Sequence, residues 1–242
     1  MRWIYISPHF DDAVLSCGGL IWEQTHKGIT VEIWTVCAGD AQTGLLSPLA
    51  MSCHQQWGMV TAEEVVAARC IENQDAAAML GAETVNFSIP DCIYRRSPTG
   101  ELLYPENVFV STHQSERNLD SEIAAALVTE LQPDDLVVSP LAIGDHVDHI
   151  LTRRAAEHLN RPLWYYADIP YLLNQPEMLQ SATGGFTETI NPVTKKGLGR
   201  WQNGISAYKS QILMLFETGE KMQEAIRLYW ENSHGIGLWH TT

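Results

Sequence analysis

Apolar residues along the chain come in short, dense blocks separated by amphipathic stretches. The blocks "RWIYIS" (2–7), "TVEIWTVCA" (30–38), "TVNFSI" (84–89), "DLVVSP" (135–140) and "LWYYAD" (163–168) are rich in β-branched and aromatic residues. That composition over so few positions predicts buried strands. Segments 13–27, 62–80 and 121–132 instead repeat their apolar positions at helical spacing, with Gly28, Gly81 and Pro133 just past their ends. Glycine and proline at those places are helix stops. Strands alternating with helices predict an α/β fold: a Rossmann-like, doubly wound, mostly parallel sheet with helices on both faces. The expected order of the first five strands is 3-2-1-4-5.

Residues 39–60 and 90–118 carry Gly, Pro, Ser, His and Asn without periodicity. They follow the second and third strands, so they are expected to overhang the carboxyl end of the sheet, where long loops usually serve function. The tail, 197–232, reads as two further helices flanking "ETGE". No repeat or low-complexity linker divides the chain. It is expected to be a single domain, 1–242, with 171–242 as a C-terminal extension containing helices.

Composition narrows the partners. Of 242 residues, 45% are hydrophobic and 18% charged, and 29 acidic against 15 basic side chains leave a formal charge of −14. Such a surface repels nucleic acid and anionic membrane, so neither is an expected partner. The five cysteines are odd in number and include no C-x-x-C pair, which argues against a disulfide framework or a cysteine zinc site and predicts a cytoplasmic protein. No signal-like or membrane-length apolar run is present, so no membrane insertion is expected.

The chemistry gathers at two strand ends. After the first strand comes "PHFDD", with His9, Asp11 and Asp12; after the fourth comes "HVDH", with His146, Asp148 and His149. In the expected order strands one and four are neighbours, and the crevice between them is the switch point where ligands bind. Histidines and a carboxylate converging there form a ligand set for catalytic zinc. His9 and Asp12 are three apart, as are His146 and His149, which places each pair on one face of a first helical turn. The set exceeds what one ion needs. Spacing leaves open which of His146 and His149 is a ligand. Asp11 is suited to act as general base toward a water made acidic by the metal. Either motif alone has a bland reading, since Asp12 alone is more often a helix cap; two at adjacent strand ends do not.

"PHFDD" with the following "GG", and "HVDH" after a later strand, resemble the PIG-L/LmbE-like family of zinc-dependent N-acetylglucosamine deacetylases, whose motifs are (P/A)-H-P-D-D and H-x-D-H. "AARCIENQDAAAMLGAE", "IPDCIYR" and "LQPDDLVVSP" are similar to further family segments, so the likeness spans most of residues 1–170. The resemblance implies that His9, Asp12 and His149 bind one Zn2+ per chain and that Asp11 is the base. It implies that His146 polarises the acyl oxygen and that Asp148 orients a histidine. In the mechanism drawn from it, His146 acts as an imidazolium and Asp148 holds that same ring. Phe10 departs from the motif's proline and is expected to affect the loop's rigidity or the site's entrance. The implied function is removal of the N-acetyl group from an N-acetylglucosamine-containing small molecule or oligosaccharide, releasing acetate. The alternative is a hydratase or amidase using the same metal on a non-sugar substrate, and a third reading is a binding module with a structural metal. Homo-oligomers from dimer to hexamer lie within the family's range.

Other residues weigh less. Arg69 reads most simply as a solvated helix residue paired with Glu72 or Asp75; the resemblance makes it a substrate-binding candidate. Asp40, Asp91 and Asp145 follow strands on the same rim, and Trp57, Trp164 and Tyr166 offer sugar-stacking faces, although strand aromatics are usually core. His26, His54, His113, His158, His234 and His240 have no partner at ligand spacing.

Overall fold

Ile4 and Ile6 point to one side of the first strand and Tyr5 to the other, as alternation along a strand requires, and all are fully buried. A strand apolar on both faces must be covered on both. In the computed structural model, which describes residues 1–41, 44–233 and 235–241, it is. His234 lies outside the described residues. The strands are β1 (Trp3–Ser7), β2 (Val31–Thr35), β3 (Glu83–Asn86), β4 (Leu136–Pro140), β5 (Leu163–Tyr166), β6 (Thr187–Pro192) and β7 (Gly235–His240). Among the described residues they form one sheet in the order β3-β2-β1-β4-β5-β7-β6. The first five run parallel, with Tyr5 opposite Ile33 on one side and Val138 on the other. The 3-2-1-4-5 order is as expected. Beyond it, β7 pairs antiparallel with both β5 and β6, making the sheet mixed.

Helices α1 (Asp12–His26), α2 (Pro48–Trp57), α3 (Ala62–Leu80), α4 (Leu119–Glu130) and α5 (Val147–Glu157) belong to the parallel half. The later ones are α6 (Tyr171–Asn174), α7 (Met178–Ala182), α8 (Lys195–Ser206), α9 (Lys209–Phe216) and α10 (Gly219–Ser233). One core joins Tyr5, Val14, Ile21, Leu80, Trp201 and Ile205 beneath α1, α3 and α8. The opposite core joins Ile4, Ile6, Trp34, Ile123, Leu127 and Leu151 beneath α4 and α5. Helix α3 starts with a capping box, Thr61 with Glu64, and stops at left-handed Gly81, which satisfies the end groups a helix cannot satisfy itself.

The tail contributes three helices rather than two: α9 and α10 flank "ETGE", and α8 precedes them. Helix α8 lies tight against α1 because Gly18 and Gly19 clear a path for Trp201. A Cβ on Gly18 would sit 2.5 Å from Trp201 Cδ1, and Trp201 Nε1 donates to Val14 O at 2.8 Å. The described parts of the overhanging loops also carry structure. Helix α2, with Ser47 as its cap, contributes Ala50 and Trp57 to a third core above the strand ends, shared with Tyr94, Tyr104 and Val147.

Candidate metal centre and active site

Strand β1 ends at Pro8, and the turn that follows is held from several sides. Ser7 Oγ accepts from Ala13 N at 3.0 Å and donates to His9 O. Tyr208 OH lies 3.0 Å from Phe10 O and 2.9 Å from Asn73 Oδ1, so the C-terminal segment braces the same turn. The Phe10 side chain is buried in the α1 core and lies against the Arg69 guanidinium, so it does not border the entrance. Across the switch point His146 caps α5, its Nδ1 accepting from Asp148 N at 3.2 Å.

The two motifs meet. His9, His146 and His149 each present a ring nitrogen within 4.8 Å of the others, and all are buried. Asp12 Oδ2 lies 3.2 Å from His9 Nδ1 and 3.4 Å from His149 Nε2. Zinc bonds of 2.0–2.2 Å in a tetrahedron put ligand atoms about 3.4 Å apart, so these separations are those of one coordination sphere. His149 Nε2 is buried and, apart from the Asp12 oxygen 3.4 Å away, has no hydrogen-bond partner, an expensive state for a polar atom that a bound cation would relieve. Each ring is also turned by a carboxylate on its far side. His149 Nδ1 donates to Asp168 Oδ1 at 2.7 Å, and His9 Nε2 donates to Asp148 Oδ2 at 3.0 Å. A carboxylate behind a ligating histidine selects the tautomer whose other nitrogen faces the ion. The residues present therefore fit a divalent cation: three imidazoles form one cluster, and the Asp12 carboxylate lies against two of them.

The charges follow from this packing. Burial opposes charge on His149, yet Asp12 and Asp168 lift its imidazole to about 9. Burial likewise opposes charge on His9, and Asp91, Asp12 and Asp148 outweigh it and hold the ring well above its ordinary value. Asp12 is held well below the carboxylate range against burial by the two imidazoles. Burial raises Asp11, partly offset by Arg69. His146 behaves oppositely to the expected imidazolium: burial, reinforced by His9, pushes it well below its ordinary value. It is a neutral ring. With Nδ1 accepting from backbone, its proton sits on Nε2. The ring that Asp148 orients is His9, not His146.

Arg69 is not solvated and does not pair with Glu72 or Asp75. It is buried, its Nη2 donates to Asp11 Oδ1 at 3.0 Å, and its Nη1 reaches Asp91 Oδ2 at 3.5 Å; Glu72 instead holds Ser210. Asp91 faces the site, 3.8 Å from His9 Nε2, whereas Asp40 and Asp145 are exposed. Trp57 lies under the Arg69 guanidinium at 5.2 Å. Tyr166 is core, bonded to Ile6 O, and Trp164 packs on Trp3 and His240. An aromatic rim borders the histidines: Phe109, 51% exposed, stands edge-on to His146 and Tyr171, and Tyr171 edge-on to His149. Sequence reasoning missed Asp168, Arg95 and this rim. For Asp168 the available signal was an aspartate directly after a buried strand beside strand four.

The profile of PIG-L, described as GlcNAc-PI de-N-acetylase, matches residues 4–160. The 2'-N-acetylparomamine deacetylase of Niallia circulans is 29% identical over 246 residues, covering 92% of this chain and 84% of that protein. A zinc-inhibited form of teicoplanin deacetylase superposes with a TM-score of 0.84 at 27% identity, covering 99% of this chain and 97% of that one. The 4-carboxy-2-hydroxymuconate hydratase of Pseudomonas putida, at 17% identity, TM-score 0.61 and coverages of 100% and 95%, shares the fold alone.

Proposed function

The chain belongs to the PIG-L family, and from that premise we propose that it is a metal-dependent N-deacetylase. Its substrate is a small molecule bearing an N-acetylated 2-amino sugar, in line with the paromamine and teicoplanin deacetylases it resembles. The observation that carries the reading is Asp12 Oδ2 within 3.4 Å of one nitrogen on each of two imidazoles. We assign one Zn2+ per chain to His9, Asp12 and His149. Bound there, the ion supplies Lewis acidity to a water and to the acyl oxygen.

The chain's own residues do the rest. Asp11, buried beside the ligands and gripped by Arg69, takes a proton from the attacking water; its raised pKa makes it a stronger base than a solvated aspartate. It then returns the proton to the departing amine. His146 donates from Nε2 to the acyl oxygen as negative charge develops, as a neutral donor rather than as a cation. Asp168 and Asp148 accept from Nδ1 of His149 and Nε2 of His9, which turns the opposite nitrogen of each ring toward the ion's place. Arg69, between Asp11 and Asp91, also meets the substrate or the product carboxylate. Five free cysteines without a disulfide and no described helix long and apolar enough to cross a membrane support a cytoplasmic enzyme.

The test is incubation with 2'-N-acetylparomamine, an N-acetylglucosaminyl glycopeptide and free N-acetylglucosamine, following acetate and new primary amine. Equal release of both from at least one sugar is expected. Turnover of none, with hydration of an unsaturated carboxylic acid instead, would establish the hydratase alternative.

A further inference from the structure

A line of buried polar contacts leads from His9 away from the crevice. Asp148 Oδ2, already bonded to His9, also accepts from Cys92 N at 3.0 Å, while Oδ1 faces Arg95 Nη1 at 2.5 Å. Arg95 donates from Nη1 to Pro90 O and from Nε to Glu116. Tyr104 OH donates to Glu116 Oε2 at 2.5 Å and accepts from His113 N at 2.8 Å. Arg95 and Glu116 are 4% and 6% exposed. A buried ion pair is costly unless its remaining hydrogen bonds are satisfied, and here they come from three different parts of the 90–116 segment.

Asp148 has other uses open to it. With His9 and Asp91, and again with Cys92 and His146, it forms two further groups whose ligand atoms lie within 4.8 Å of one another. Both overlap the three-histidine cluster. A cation drawn to either would leave Asp12 and His149. The Arg95 guanidinium on Oδ1 neutralises the carboxylate and occupies the oxygen that His9 does not use. We propose that Arg95, braced by Glu116 and Tyr104, is a positioning residue for the metal centre: it commits Asp148 to orienting His9 and withholds it from the ion. This rests on the reading that His9, Asp12 and His149 hold the metal.

The experiment measures zinc affinity and stoichiometry by competition with a chromogenic chelator, with folding checked by circular dichroism. It compares wild type, Arg95→Lys and the double variant Arg95→Met/Glu116→Gln. Lysine keeps the charge, but one ammonium cannot span Asp148 and Glu116 as the guanidinium fork does. Wild type is expected to bind one zinc, and both variants to bind it at least about 10-fold more weakly while folded. Arg95→Lys binding zinc as tightly as wild type overturns the proposal. Wild type that binds no zinc overturns the metal reading beneath it. If the double variant does not fold, Arg95→Lys decides alone; if neither folds, Arg95 serves the fold rather than the metal, and the proposal fails.

Discussion

Replacing Asp168 with asparagine sets two buried hydrogen bonds against each other. Asp168 Oδ1 accepts from His149 Nδ1 at 2.7 Å and Oδ2 from Ile143 N at 3.0 Å, and the residue is fully buried. Asparagine has the same shape but a single acceptor. If its oxygen stays on His149, the amide NH2 confronts the Ile143 N–H, and a buried donor left unsatisfied costs about 1–3 kcal/mol of stability. If the oxygen turns to Ile143, the NH2 faces His149 Nδ1, which must then accept. The ring proton moves to Nε2, the nitrogen beside Asp12, and the lone pair meant for the metal is lost. Losing such an orienting partner weakens metal binding about 10- to 100-fold, or about 1.4–2.7 kcal/mol. The costs are similar, so the chain cannot evade both. Urea unfolding of the metal-free protein reads the first and chelator competition the second. Asp168→Asn matching wild type in both would refute the assignment of Asp168 as the residue that aims His149.

Asp11→Asn keeps the size of the side chain but cannot take a proton, so kcat should fall about 10²–10⁴-fold while zinc content stays at the wild-type level. Gly18→Ala places a methyl 2.5 Å from Trp201 Cδ1; overpacking of this kind should lower unfolding stability by about 1–3 kcal/mol in urea. Asp135, against the effect of burial, is held below its usual carboxyl range by hydrogen bonds from Arg2 and Gln132 N. Its folded pKa is therefore depressed, so its contribution is fully present above the unfolded pKa near 3.9 and disappears as pH falls through the lower folded value. Asp135→Asn should be less stable than wild type at pH 6, and urea titrations should show the gap closing below about pH 4.

The parallel half of the sheet was legible because strands covered on both faces are apolar blocks, and "RWIYIS" or "DLVVSP" cannot be much else. Strand β6, "TETINP", is largely exposed and mostly polar, and β7, "GIGLWH", has two glycines; both owe their pairing to the neighbouring strand rather than to local preference. Helix α8 was hidden by Gly197, Gly199 and Gly204; Gly197 leaves no room for a Cβ against Glu23 and Val193, and Gly204 packs tightly on Leu80. Helix α2 did carry a signal, Ser47-Pro48, a cap followed by a first-turn proline, inside a stretch read as aperiodic. At the site, motif spacing could bring His9 and His149 together but could not say which ring Asp148 would meet. That depended on Arg95 arriving from a loop with no periodicity. Arg69 was misjudged for the same reason: burial of its guanidinium is decided by Phe10 and Trp57, residues remote in sequence.

The most direct test is an anomalous-scattering map of the crystallised protein at the zinc edge. A single peak contacted by one nitrogen each from His9 and His149 and by an Asp12 oxygen is the predicted result. A peak held instead by Cys92, or by Asp91 and Asp148, would contradict the account.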